Sequence, residues 1–570
     1  MFRRISILSA CVLLLAACGG GSGSASSPTQ PVPTPTQPDP APSPPEPAFA
    51  LAASTPADGA TAVARNATFD ASFNRAVAPA SVTNSSARLL GPEGNAIPVA
   101  ASVSGSDIGL TASLGLPGNT TYRVELAASI ADAKGNTLGN AVSRTFTTAA
   151  QSWQPTASEL GSLTSSTANT APMVQADRDG NVMAVWKHAP AGVDTIYASR
   201  MEAKTGTWSA PGTVAVTDAS GNFSAVSVTA GAKGDIYVTF TESHPGTQAV
   251  KMQRYDPGSG NWSALPAVTA PVNGVTAHLI TDAAGNLTAI VNNFGIYAFR
   301  FDTATQAWAA PVRLDSPDRP ATYAMNVTAA ADGKGGLLVG WVQDTADGRA
   351  VVVTRNGGGN WSTPQELDHN VNTLSVANFP IFSLAVNDSG NAIISWTHNN
   401  GMVVGPTVMA SIYQPASGTW STATRLDQAD PALGASNPQA VIDAAGVPTV
   451  LWWQNEGMFA RRYSATTGTW SAQQRAGDAG DQFVAVVDPA GNVMVVQEQD
   501  QAQSIHAIQY LLSDGQWHDS TISQPSAGRT VFVNTPVVTI DAGGTVTAAW
   551  FAWNTVGGVP RMPVSVNRFK

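Results

Sequence analysis

Residues 172–186 read Pro172-Met173-Val174-Gln175-Ala176, then Asp177-Arg178-Asp179-Gly180-Asn181, then Val182-Met183-Ala184-Val185-Trp186. Two short apolar runs around a turn whose fourth residue is glycine describe a β-hairpin. Outward from it, Ile196-Tyr197-Ala198-Ser199-Arg200 supplies a third run, Thr205-Gly206 a second turn, and Trp208 opens a fourth run. Four strands in about 50 residues suit one β-propeller blade.

The same marks recur along the chain. Tryptophans stand at Trp153, Trp208, Trp262, Trp308, Trp361, Trp420, Trp470 and Trp517, 46 to 59 residues apart. In counterphase the turn glycine falls at Gly180, Gly234, Gly285, Gly335, Gly390, Gly446, Gly491 and Gly544. A β-helix would want shorter, more uniform coils, and tandem Ig-like domains about twice the length per unit. The two ends are complementary: Trp153 precedes any first, second or third strand, and the last unit, 537–570, has those three strands and no fourth-strand tryptophan. Joining 152–155 to 563–567 completes a unit from both termini and removes the exposed sheet edges of an open array. The count is eight blades, closed by N- and C-terminal strands, or seven if one weak unit is displaced.

Upstream, Arg3 and Arg4 precede the apolar run 5–15 and Leu15-Ala16-Ala17-Cys18. The order is that of a cleaved signal over 1–17, too short for a permanent span of about 20 apolar residues. Leu15-Ala16-Ala17-Cys18 resembles the lipobox of bacterial lipoproteins, which implies a thioether lipid on Cys18; Gly19 after it points by the same analogy to the outer membrane. Residues 18–47 form a Gly/Ser-rich, then Pro-rich tether, semi-extended and coreless. Cys11 leaves with the signal and Cys18 carries lipid, so the mature fold has no disulfide and no thiolate site. Net charge of −10 with pI near 5.1 argues against nucleic acid as a partner.

Residues 48–149 carry short alternating runs at 67–73, 87–90, 97–103, 122–126 and 143–147, the spacing of a β-sandwich. Ser54-Thr55-Pro56-Ala57-Asp58-Gly59, Phe69-Asp70-Ala71-Ser72-Phe73, Asn119-Thr120-Thr121-Tyr122, Asp132-Ala133-Lys134-Gly135-Asn136 and Thr145-Phe146-Thr147 resemble, in family order, the bacterial Ig-like domain of S-layer and envelope proteins. The resemblance implies a spacer or stalk module. Asp132 and Asn136 are read as a turn rather than a calcium site. The fold class is therefore all-β, an Ig-like β-sandwich over 48–149 followed by a β-propeller over 150–570.

Six residues past each turn glycine stand Trp186, Phe240, Val291, Trp341, Trp396, Trp452, Gln497 and Trp550. A position repeated in every unit is expected to pack between blades. The Asp turns depart by one residue from the spacing of sialidase Asp boxes and resemble the hairpins of TolB-type propellers, so they are read as structural. Two residues further on, the side chains diversify: His188, Glu242, Asn293, Gln343, His398, Gln454 and Gln499, with Ala552 in the last unit. This position ends the second strand, on the face of the variable loops, and these seven are the ligand-binding candidates, the bland reading being solvated strand ends. Trp453 and Trp553 fall outside the repeat and are candidates for surface contacts.

Chemistry is harder to find. His188 and His398 fall four blades apart, and no histidine shows zinc spacing. Glu242, Asp344, Glu456 and Glu498 are the pool for a glycosidase pair, with no pair singled out. No catalytic residue, metal or cofactor is assigned. The sequence favours a non-catalytic, monomeric envelope lipoprotein, periplasmic or surface-exposed, that uses one propeller face to bind protein partners. The alternative is binding or processing of carbohydrate.

Overall fold

In the computed structural model the described residues are 46–570, apart from 162–171, 269–275, 294, 316–324, 346–347, 358, 369–381, 399–404, 428–433, 456, 479, 481, 500–503, 524–528, 531–535, 552 and 557–558. Cys18, the signal and nearly all of the tether lie outside the described residues. Ala48–Lys570 forms one compact unit, all-β, and no helix among the described residues is long and apolar enough to cross a membrane.

The first part is a sandwich of two sheets, one of four strands and one of five. Phe69–Phe73 and Thr121–Leu126 alternate buried and open positions, as the period-2 pattern requires. Phe69, Phe73, Ile108, Leu110, Tyr122, Val124 and Phe146 fill its core. The Asp132 carboxylate accepts the amides of Lys134 and Asn136 and pairs with Arg75 Nε at 2.9 Å, which makes it a turn cap, as read from sequence.

The repeat folds into eight antiparallel sheets of four or five strands among the described residues, numbered here sheet 1 (173–216), 2 (222–268), 3 (276–313), 4 (325–368), 5 (382–425), 6 (435–478), 7 (483–523) and 8 (537–569). Strands A, B, C and D follow in order within each. In sheet 1, A is Met173–Ala176, B Val182–His188 and C Thr195–Glu202, within a few residues of expectation. D is broken after Trp208 and resumes at Gly212–Val216. In sheets 1 and 5 the serine after the tryptophan fills the break: Ser209 Oγ accepts the Arg200 amide and Ser421 Oγ that of Ile412, each at 3.0 Å, keeping strand C satisfied.

Sheet 8 draws its outer strand from the other end of the repeat. Ser158–Gly161 pairs with Val564–Phe569, and Trp153 bridges Phe569. The Ser152 and Lys570 amides exchange bonds at 3.2 and 3.1 Å. Pairing thus runs somewhat beyond the segment 152–155 expected from sequence. Strand A of each sheet neighbours strand A of the next, and that of sheet 8 neighbours that of sheet 1. The arrangement is propeller-like.

Between consecutive sheets lie eight apolar clusters, the last joining Phe551 and Val564 of sheet 8 to Trp186 and Met201 of sheet 1. Every residue of the position six past the turn glycine is at most 2% exposed, from Trp186 to Trp550. All but Gln497 belong to a cluster with the preceding sheet, as the packing expectation requires. Removing one such indole costs about 3–5 kcal/mol.

Candidate functional site

The sheets have two unlike ends. At one, the A–B turns close with the expected chemistry: Asp177 Oδ1 accepts the amides of Asp179 and Asn181, each at 2.9 Å, and Gly180 has φ 77°. The eight turn glycines all lie between 75° and 92°, a region that disfavours any side chain. Strand C adds what the sequence pattern did not show, an arginine on the second carboxylate oxygen: Arg200 on Asp177 at 2.9 Å, Arg355 on Asp332 at 2.7 Å and Arg462 on Asp443 at 2.5 Å.

The Ig-like sandwich sits on this end. Arg65 Nη2 donates to the Gly543 carbonyl at 2.5 Å and Asn95 Nδ2 to that of Pro489 at 3.1 Å, while Gln151, just past the sandwich, donates Nε2 to the Gly544 carbonyl at 2.9 Å. Asn492 reaches Thr120 Oγ1, Glu93 pairs with Arg462, and Ala490 of the sheet 7 turn enters the sandwich core. Burial pushes the Asp488 carboxyl up to about 6 and raises Asp443 and Asp541 above the carboxylate range. Burial also lowers Arg65 and Arg568.

The opposite end holds the strand-B exits. His188, Glu242, Asn293, Gln343 and Gln454 are buried, and His398 and Gln499 half-buried. Strand geometry puts each on the same face as the repeat residue two before it, and Gln343 and Gln454 bond that residue. Gln343 Oε1 accepts Trp341 Nε1 at 2.8 Å, and Gln454 Oε1 accepts Gln473 Nε2 at 3.0 Å and, at 3.4 Å, Trp452 Nε1. Across the joint from sheet 4, Asp368 Oδ2 accepts both Trp396 Nε1 and His398 Nδ1 of sheet 5, each at 2.7 Å, which fixes the imidazole tautomer. His188 Nδ1, Asn293 Oδ1 and Trp186 Nε1 are buried with no partner among the described residues, and burial lowers the His188 pKa, favouring its neutral form.

These candidates are spread one per sheet rather than converged on one pocket. A charged group stands at the exit of sheet 2: Glu242 pairs with Lys251 and faces His244 Nε2 at 3.4 Å. His244 Nδ1 lies 3.4 Å from Ser220 Oγ, which bonds Asp218 at 2.7 Å. The Ser220 hydroxyl and amide hold the Asp218 carboxyl below its usual range. Such a set can bind a polar ligand. Among the described residues, no three His, Cys, Asp or Glu side chains are grouped to hold a metal ion.

Trp453 packs edge-on against Phe483, ring centroids 5.0 Å apart, with its Nε1 buried. It belongs to the joint between sheets 6 and 7 rather than to a free surface. Trp553 begins a small strand whose backbone pairs with Thr530; its side chain lies outside the described residues, as do Ala552 and Glu456. The repeat reading missed a second carboxylate series at the ends of the D strands. Asp315 Oδ1 accepts the Ile296 amide at 3.0 Å and Asp427 Oδ1 that of Val408 at 2.8 Å, each steadied by the arginine two residues before. The recurring Leu-Asp of Leu314-Asp315, Leu367-Asp368 and Leu426-Asp427 was the available signal.

Residues 45–148 match the bacterial Ig-like domain family. No curated protein matches the chain. Among solved structures, the Dos1 propeller is similar at 10% identity over 73% of this chain and 95% of its own, with a TM-score of 0.43. The polysaccharide lyase Uly1 is similar at 9% identity over 61% and 89%, with 0.41. The NanB sialidase from Streptococcus pneumoniae is similar at 12% identity over 92% of each chain, with 0.31. Residues 45–148 are thus a bacterial Ig-like domain, followed by a propeller-like repeat.

Proposed function

We propose that the chain is a monomeric outer-membrane lipoprotein that binds protein partners of the cell envelope. It is anchored through a lipid on Cys18, extended by the Pro-rich tether and built as an eight-bladed propeller closed by its terminal strands. Eight inter-sheet clusters, one of which joins sheet 8 to sheet 1, support the count and the closure. The observation that carries the binding reading is the seat of the Ig-like sandwich. It occupies the Asp-turn end of sheets 6 to 8, so the strand-B exits point the other way. There the B–C connections differ in length, from His188 to Thr195 in sheet 1 and from His244 to Thr247 in sheet 2. Unequal loops on a rigid ring make a broad face suited to a protein surface.

The test is photo-crosslinking in intact cells from probes at His398 and Gln499. The expected result is one or two defined envelope proteins; no reproducible protein at either probe contradicts the reading. Cys18→Ser is expected to move the chain from the membrane to the soluble fraction. The carbohydrate reading has an observation of its own: the half-buried Trp361 borders two cavities.

A further inference from the structure

In six sheets the D-strand tryptophan lies against an aromatic ring from strand C: Tyr255 and Trp262, Phe301 and Trp308, Tyr413 and Trp420, Tyr463 and Trp470, Tyr510 and Trp517, and Phe569 and Trp153, with centroids 5.0 to 5.4 Å apart. In sheet 1 Met201 takes that place. Sheet 4 breaks the pattern. Its C–D hairpin is shorter, Trp361 bridges Asn356, and among the described residues no ring stacks on Trp361.

A cavity lies to each side of this half-buried indole. One, of about 520 Å³, runs toward sheet 5 and is lined by Arg355, Asn360, Thr363, Gln365, Tyr413 and Trp420 among others. The second, of about 690 Å³, runs toward sheet 3 and the strand-B exit end, reaching Gln343 and Glu366. Both volumes fall in the range of small-molecule sites, roughly 300–1,000 Å³. An aromatic ring bordered by amides, hydroxyls and planar guanidinium groups matches a pyranose, whose C–H face packs on a ring while its hydroxyls need donors and acceptors at the edge.

The charge of the groove narrows the class. Arg355 is bonded to Asp332 at 2.7 Å and lies over the Tyr413 ring at 4.7 Å. Arg313 is bonded to Asp315 at 2.9 Å. Both guanidinium charges are neutralised in place, which disfavours an anionic ligand. We propose that the rim groove along strand D of sheet 4 binds a neutral oligosaccharide, with Trp361 as the stacking platform between two subsites. The groove meets the proposed protein-binding face at Gln343, and its ligand is read out separately from protein capture.

The test is titration of the full chain with neutral glucan, mannan and xylan oligosaccharides, followed by tryptophan fluorescence and calorimetry. At least one series is expected to bind. Trp361→Ala is expected to weaken it at least tenfold. Asn356→Tyr restores a ring opposite Trp361 and is expected to block stacking while circular dichroism stays unchanged. Gln365→Ala, at the groove edge, is expected to weaken binding about threefold to tenfold, and it keeps the test valid if either other variant unfolds. Absence of binding by the folded wild type, binding unchanged in Asn356→Tyr and Gln365→Ala, or a groove that takes peptides and no glycan overturns the proposal.

Discussion

The two ends of the repeat are built from the same strands and differ in what covers them. At the Asp-turn end of sheets 6 to 8, a second folded body buries carboxylates, arginines and a turn alanine. At the strand-B exits most polar side chains are buried; Gln343 and Gln454 accept from the tryptophan two residues earlier, and Asp368 of sheet 4 holds Trp396 and His398 of sheet 5. One end is thus a joint, built on aspartate-capped turns, and the other a scaffold for loops, built on strand exits.

The largest way to break this contrast is at the joint. Ala490 is 1% exposed within the sandwich core, and Ala490→Asp forces a carboxylate into it. Burying an unpaired charge is expected to cost about 3 kcal/mol or more. The expected readout is a lowered thermal midpoint and new proteolytic cleavage between the Ig-like sandwich and the repeat. The matching change at Ala284, in the exposed turn of sheet 3, is expected to stay within about 0.5 kcal/mol.

The next effect is on an indole at the other end. Gln343→Leu removes the acceptor of Trp341 Nε1 and leaves a buried donor unmet. The expected loss is about 1–3 kcal/mol by chemical denaturation. Partner capture at Gln499 is expected to persist, because Gln343 supports its sheet rather than contacting the partner.

The smallest effect is a pH dependence. The Asp488 carboxyl titrates near 6 in the fold, above the ordinary carboxylate value of 3.8. The folded state therefore binds the proton more tightly than the unfolded chain. The resulting stabilisation is complete below pH 3.8 and is lost as pH rises through about 6. Asp443 and Asp541, raised in the same direction, add to it, while His188, lowered by burial, works against it on acidification. The difference between wild type and Asp488→Asn isolates one group: its midpoint advantage is expected to grow from pH 7.5 to pH 5. A pH-independent difference contradicts the burial of that carboxyl.

Much of this was legible because it is local. The hairpin around Gly180, the amide cap of Asp177 and the in-pointing Trp186 follow from turn chemistry and strand period. That 152–155 joins the last strand followed from what each end of the repeat lacked, although Trp153 bridges Phe569, two residues past the expected segment 563–567. The joint was not legible: Pro489-Ala490 differs little in kind from Ala283-Ala284, and only the surface of a separate domain makes one buried and the other open. The place of the candidate residues near the strand-B ends was legible, but their contacts were not. A glutamine at a strand exit looks the same in sequence whether it meets a ligand or, like Gln343, an indole two residues away.

The most direct measurement is hydrogen exchange on the full chain, comparing turns of one motif. Turns 488–492 and 541–545 lie under the Ig-like sandwich, while 282–286 in sheet 3 has the same aspartate-capped amides without it. Exchange at least tenfold slower in the covered turns is the expected result. Equal exchange in all three contradicts the seat of the Ig-like sandwich on the turns of sheets 7 and 8.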